Sequence, residues 1–124
     1  MKIVNTPHAP TAIGPYSQAI KSNGFIFCSG QIPLIPQTMK LVGHNIVEQT
    51  QQVLQNLDAV LQEAGSSKSK VVKTTIFLAD FDDFSAVNKL YENYFENHKP
   101  ARSTVEVSRL PKNVLIEIEC IALE

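Results

Sequence analysis

Pro100-Ala101-Arg102-Ser103-Thr104-Val105-Glu106-Val107-Ser108-Arg109-Leu110-Pro111-Lys112-Asn113-Val114-Leu115-Ile116-Glu117-Ile118-Glu119-Cys120-Ile121-Ala122-Leu123 contains two alternating segments parted by a Pro-Lys-Asn turn. In the second segment Val114, Ile116, Ile118, Cys120 and Ala122 share one face, and Leu115, Glu117, Glu119, Ile121 and Leu123 share the other, the period of two that marks a β-strand. The first face belongs in a core. The second sets two carboxylates among large aliphatic side chains, and a charge held beside apolar walls needs a partner, a ligand or a neighbouring chain. Upstream, Val105 and Val107 point one way while Arg102, Thr104 and Glu106 point the other. A hairpin closing through the turn would bring the Arg102 guanidinium and the Glu117 carboxylate into one region of the sheet. That pair reads either as a structural salt bridge or as part of a site.

Working back along the chain, Phe84, Val87, Tyr91, Tyr94 and Phe95 form the stripe of an amphipathic helix that starts near the acids Asp80 and Asp83 and stops before Pro100. Asn88 lies beside that stripe, either exposed or turned inward. Before it, Lys70 to Ala79 alternates as a strand, with Val72, Thr74, Ile76 and Leu78 expected toward a helix and Val71, Lys73, Thr75, Phe77 and Ala79 on the reverse. A longer helix precedes that strand. Asn45 and Glu48 make a capping pair, Thr50, Val53, Leu54, Leu57, Val60, Leu61 and Ala64 recur on one face, and Gly65 terminates it.

Residues 34 to 45 read as a loop. Two alternating runs, Ser17 to Ser22 and Phe25 to Ser29, flank Asn23-Gly24, the pair favoured where both central residues of a hairpin turn need positive φ. The second run leads into Ser29-Gly30-Gln31-Ile32-Pro33, where a glycine permits close approach of the backbone to a ligand or simply a bend. The first sixteen residues read as a short strand and a proline-fixed arm carrying Tyr16, which is a packed aromatic or a ligand contact. The expected architecture is α+β, a single domain over residues 1–124 with two helices against one face of a mixed sheet. Two helices cover only one face, so Val71, Phe77, Leu115 and Ile121 would remain on the other and favour association with further copies.

Composition narrows the function classes. A chain of 124 residues, 44% hydrophobic and with a net charge of −1, has no basic excess for a phosphate backbone, so nucleic acid is not favoured. No apolar run is long enough to span a bilayer, and a cytoplasmic, unanchored protein is expected. Cys28 and Cys120 lack a paired spacing and read as reduced core or interface residues, a disulfide being the alternative. His8, His44 and His98 are scattered, which gives a metal site little support.

Pro100-Ala101-Arg102-Ser103, Arg109-Leu110-Pro111-Lys112 and Ile116-Glu117-Ile118-Glu119 resemble the C-terminal signature of the Rid (YjgF) family of reactive intermediate deaminases. The resemblance extends in order through Ala12-Ile13-Gly14-Pro15-Tyr16-Ser17, Ser29-Gly30-Gln31-Ile32-Pro33, Val71-Val72-Lys73-Thr74-Thr75, and Val87-Asn88 with Tyr91. It implies a chorismate mutase-like fold, assembled as a homotrimer around a central barrel with its sites in clefts between subunits. It further implies a 2-iminobutanoate/2-iminopropanoate deaminase that hydrolyses imines derived from 2-aminoacrylate and 2-aminocrotonate to 2-keto acids and ammonia, with no metal or organic cofactor.

The resemblance assigns carboxylate anchoring to Arg102 and water orientation with proton transfer to Glu117. It adds ligand contacts from Tyr16, Ser29, the Gly30 backbone, Asn88 and Thr104. Residue chemistry agrees, because a planar guanidinium can hold a carboxylate bidentately for roughly 1.5–3 kcal/mol, and a glutamate can act as general base. Glu119 shares the face of Glu117, so the two could exchange roles. The chain departs from many relatives at Thr104, where they have cysteine, and at Asn113, where they have aspartate; any thiol-dependent activity is thereby in doubt. Two alternatives accompany this reading: a non-enzymatic ligand-binding or regulatory trimer, and an endoribonuclease or translation inhibitor.

Overall fold

The computed structural model describes every residue from Met1 to Glu124. Along the chain lie β1 (Lys2–Val4), β2 (Ala19–Ser22), β3 (Phe25–Gln31), α1 (Ile46–Glu63), β4 (Val71–Leu78), α2 (Phe84–Phe95), β5 (Ala101–Glu106) and β6 (Ile116–Leu123). The strands form one sheet in the order β1-β2-β3-β6-β4-β5, parallel between β4 and β5 and antiparallel elsewhere. Helix α1 packs on β3 and β6 and against α2. This is the mixed α+β layer with two helices that the alternation and helical stripes call for.

Local signals act as their chemistry requires. Asn23 and Gly24 take φ of 52° and 82°, closing the β2–β3 hairpin with Ser22 opposite Phe25. The Asn45 side chain accepts the Glu48 N–H at 2.9 Å, starting α1, and Thr50, Val53, Leu54, Leu57, Val60, Leu61 and Ala64 are all buried. Val87, Tyr91 and Phe95 bury the stripe of α2. Cys28 and Cys120 are free thiols that oppose each other across β3 and β6. The hydrogen bond to the Cys28 thiol, with burial, pushes the Cys120 thiol far above its ordinary range, which keeps it protonated and unreactive.

The expected hairpin between the last two strands is absent. β5 pairs only with β4, and β6 fills the slot between β3 and β4. Burial explains this choice: Ile116, Ile118 and Ala122 are fully buried, which suits a central strand, whereas Ala101, Arg102, Ser103 and Val105 are exposed, which suits an edge. The link between them crosses the end of β4, where the Val107 N–H bonds the Leu78 carbonyl at 2.8 Å and the Ala79 N–H bonds that of Leu115 at 3.0 Å.

A second expectation fails at the start of β4. Val71 is buried and Val72 exposed, the reverse of simple alternation, because the β4–β6 register slips by one residue between Val71 and Lys73. Such a bulge changes which face the side chains before it occupy. Val71 therefore leaves the open face of the sheet, and a lateral apolar row of Ile3, Ile20, Phe27 and Ile121 occupies it instead, with Phe27 46% exposed.

Two buried amides, invisible in the helical stripe, tie the loop and β6 to α1. Gln49 donates to the Gly43 carbonyl at 2.9 Å and accepts the Leu115 N–H at 2.7 Å, while Asn56 donates to the carbonyls of Ile32 and Leu34. Gln49→Leu would strand a backbone donor and acceptor, each unsatisfied group costing about 1–3 kcal/mol. A lowered urea midpoint with unchanged m-value is the expected outcome, measured by circular dichroism.

Candidate functional site

The candidate residues fall into two clefts. The first, about 640 Å³, opens where β3 bends and includes Tyr16, Ser29, Gly30, Lys112, Glu117 and Glu119 in its lining. The bend is a bulge: Cys28 pairs with Cys120 but Gln31 with Ile118, so one extra residue sits at Ser29-Gly30. Ser29 is locked there, its hydroxyl donating to the Ser17 carbonyl at 2.6 Å and its N–H to that of Gln18 at 2.9 Å. Gly30 lies against Glu117 so closely that a β-carbon would overlap the carboxylate, coming within 2.9 Å of Cδ. Only glycine leaves room for the acid in this position.

The arm over this cleft is fastened by buried Gln18. Its amide donates to the carbonyls of Thr6 and Pro10 at 3.1 and 2.9 Å and accepts the Thr6 N–H at 2.7 Å. Tyr16, 54% exposed, stands at the cleft beside this arm, available for a ligand rather than packed in the core.

Glu117 and Glu119 differ in environment. Glu117 is half-buried and Glu119 exposed. Burial first, and the neighbouring Glu119 charge second, hold the Glu117 carboxyl above its ordinary proton affinity. A carboxylate so placed is a stronger proton acceptor than one in free water.

The second cleft, about 410 Å³, lies at the β5 edge and contains Asn88, Tyr91, His98 and Arg102. Arg102 donates to the Asn88 side-chain carbonyl at 2.7 Å, which settles Asn88 as facing this cleft. The guanidinium carbon sits 4.9 Å from the Tyr91 ring centre and 5.5 Å from that of Phe84. Tyr91 is itself anchored by a 2.6 Å bond between its hydroxyl and that of Thr74. The two rings flank the guanidinium and one bond uses one of its five donors, so the rest of the fork is open to an anion. No carboxylate of the chain pairs with it. Two residues along the same strand face, the Thr104 hydroxyl oxygen is buried without a hydrogen-bond partner, a polar atom awaiting one.

The two clefts are on opposite sides of the sheet. Arg102 is level with Thr74, which faces α2, whereas Glu117 is level with Phe77, which faces away from the helices. The structure thus brings together Tyr16, Ser29, Gly30 and Glu117 in one cleft, and Asn88 and Arg102 in the other with Thr104 on the same strand face; within one chain it does not join the two sets. An intrachain Arg102–Glu117 salt bridge is therefore ruled out.

The largest depression, about 920 Å³, runs between α1 and α2 and holds none of these residues. It is an open groove whose Asp58 is already bonded to the Tyr94 hydroxyl at 2.7 Å. No three His, Cys, Asp or Glu side chains gather closely enough to hold a metal ion. The Arg109-Leu110-Pro111-Lys112 motif contains Lys112 without giving it a role, and Gln18 belongs to no motif. The Pro-Lys-Asn turn is the other signal for Lys112, and nothing local marks Gln18.

The family model described as endoribonuclease L-PSP matches residues 6–124. The RutC family protein slr0709 of Synechocystis sp. is 59% identical over 99% of this chain and 96% of its own length. Reactive Intermediate Deaminase A, chloroplastic, of Arabidopsis thaliana is 53% identical over 98% of this chain and 65% of its own length. Among solved structures, the Rid family protein YyfA from Yersinia pestis superposes with a TM-score of 0.98 at 55% identity, covering 99% of this chain and 98% of that one.

Proposed function

This chain belongs to the Rid (YjgF) family, and on that footing we propose that it is a reactive-intermediate deaminase hydrolysing 2-iminobutanoate and 2-iminopropanoate to the 2-keto acids and ammonia. The observation that carries the reading is the Glu117 carboxylate, pressed against Gly30 in a cleft and raised in proton affinity by burial. The deaminase name of the Arabidopsis relative supports the same reaction class.

The substrate is an imino acid formed by tautomerisation of 2-aminocrotonate or 2-aminoacrylate. Arg102 holds its carboxylate with the open side of the fork, beside the Asn88 side chain that the guanidinium already contacts. Glu117 accepts a proton from a water as the oxygen attacks C2 and the C=N π electrons move to nitrogen, giving a carbinolamine. Glu117 returns that proton to the nitrogen, then carries the hydroxyl proton to the same nitrogen, and the C–N bond breaks to release ammonia as the oxygen's electrons form the carbonyl. One water is consumed and one ammonia released, and Glu117 ends as it began. Nothing in these steps calls for a cofactor.

The site is assembled between copies of the chain in a homotrimer, the β5 edge of one meeting the open sheet face of the next. Two observations support this: Arg102 and Glu117 occupy opposite faces, and Phe25, Phe27, Val105 and Leu123, each more than 40% exposed, leave apolar surface that association would cover. Generating the enamine with a dehydratase and following keto-acid appearance tests the reaction; no acceleration over buffer rejects it.

Gly30→Ala probes the carrying observation directly. The group it displaces is the end of a flexible side chain, so the fold should persist while the carboxylate shifts, and misplacement by about 1 Å costs roughly 10²-fold in turnover. Steady-state kinetics beside a thermal melt would show the two effects separately. The endoribonuclease description of the family fits this molecule less well, since its net charge of −1 offers no basic excess for a phosphate backbone.

A further inference from the structure

We propose that Lys112 is a specificity-determining residue of the Glu117 cleft, supplying the positive charge that admits an anionic substrate past Glu117 and Glu119. The inference rests on the reading that this cleft takes a 2-imino acid.

Glu117, Glu119 and Lys112 line the same cleft, yet the Lys112 ammonium forms no ion pair with either carboxylate, or with any other. Arg102 of the neighbouring copy grips the substrate carboxylate once it is seated, but on the Glu117 side of the site the approaching anion meets two carboxylates that repel it. A lysine consumed by a salt bridge would not help; a free one at the wall of the cleft does, because its field acts on whatever enters.

The backbone holds Lys112 there at a cost. Lys112 and Asn113 both lie in the left-handed region, at φ of 56° each, a conformation that disfavours side chains with a β-carbon. Asparagine tolerates it and lysine does so less well. The turn is nevertheless well secured: Leu110 is buried, the Asn113 N–H bonds the Leu110 carbonyl at 3.1 Å, and the Val114 N–H bonds that of Pro111 at 3.3 Å. Glycine at this position would make the same turn with less strain. A long charged side chain held in this conformation at the wall of the cleft fits the tendency of backbone strain to collect at functional positions.

That strain also supplies a clean test. Lys112→Gly keeps or improves the turn and deletes the charge, while Lys112→Arg keeps the charge. Binding of 2-oxobutanoate and of its neutral amide, 2-oxobutanamide, would be measured by calorimetry for the wild type and both variants at low and high salt. For Lys112→Gly, with a melting temperature no lower than wild type, about a fivefold loss of 2-oxobutanoate affinity is expected at low ionic strength, shrinking as salt is added. Amide binding should be unchanged, and Lys112→Arg should match the wild type for both ligands. Lys112→Gly binding the keto acid as tightly as wild type would overturn the proposal. Equal losses for acid and amide would overturn it too, by showing a shape effect rather than a charge effect. If the wild type binds the keto acid in this charge-dependent way but does not speed imine hydrolysis, the proposed reaction fails while the role of Lys112 stands.

Discussion

Glu117→Gln is expected to lower imine turnover by about 10²- to 10⁴-fold and, at neutral pH, to make the folded chain more resistant to urea. The loss of turnover follows because an amide cannot accept the proton of the attacking water. The gain in stability follows from the environment of the acid. Burial and the Glu119 charge raise the proton affinity of Glu117 in the folded state above its value in the unfolded chain. The neutral acid is therefore favoured by folding, and that stabilisation is complete below the unfolded-state value and lost as pH rises through the raised folded-state value. At neutral pH the wild type has lost it, whereas glutamine, neutral throughout, never does. The stability difference between variant and wild type should accordingly shrink toward nothing as pH falls through the carboxylate range. Urea midpoints across pH would check this; a variant less stable than wild type at neutral pH would contradict the environment assigned to Glu117. Glu119→Gln removes the second cause of the shift, so the acid limb of the rate profile should move to lower pH.

Arg102→Lys and Glu117→Gln should each be impaired alone, yet a one-to-one mixture of the two, unfolded and reassembled together, should recover about a quarter of wild-type turnover if each site takes Arg102 from one copy and Glu117 from the next. Lysine offers a point charge where the stacked, planar fork fits a carboxylate, and loss of the bidentate contact is expected to cost about 10- to 100-fold. In mixed assemblies half of the Arg102 positions are intact and, independently, half of the Glu117 positions, so one junction in four carries both. The fraction does not depend on the number of subunits in a closed ring. Turnover of the mixture equal to the mean of the two variants would mean that both groups act from one chain, which the opposite facing of Thr74 and Phe77 argues against.

Much of this molecule is legible from neighbours in sequence. Asn23-Gly24 specifies a hairpin because two successive residues must accept positive φ, Asn45 starts a helix because its side chain satisfies a free N–H, and the alternation from Val114 to Leu123 specifies a strand with a buried face. These are short-range effects, decided by steric and hydrogen-bonding preferences within a few residues. They sufficed for the element order and the helical stripes, whereas the candidate residues are those that the family resemblance implies.

Lateral order was decided elsewhere. β6, with Ile116, Ile118 and Ala122 fully buried, takes the middle of the sheet and displaces polar β5 to the edge, a competition among distant segments for one core that no local pattern records. The two bulges, at Ser29-Gly30 and between Val71 and Lys73, each set an extra residue of one strand against β6, and each changes which face a side chain meets. Amphipathic periodicity likewise hides Gln49 and Asn56, whose burial depends on backbone groups brought to them by the loop and by β6. Sequence alone therefore determined which groups the chain can use. Only tertiary packing determined that the guanidinium and the carboxylate face opposite ways, because strand position is set by the burial energy of the whole sheet.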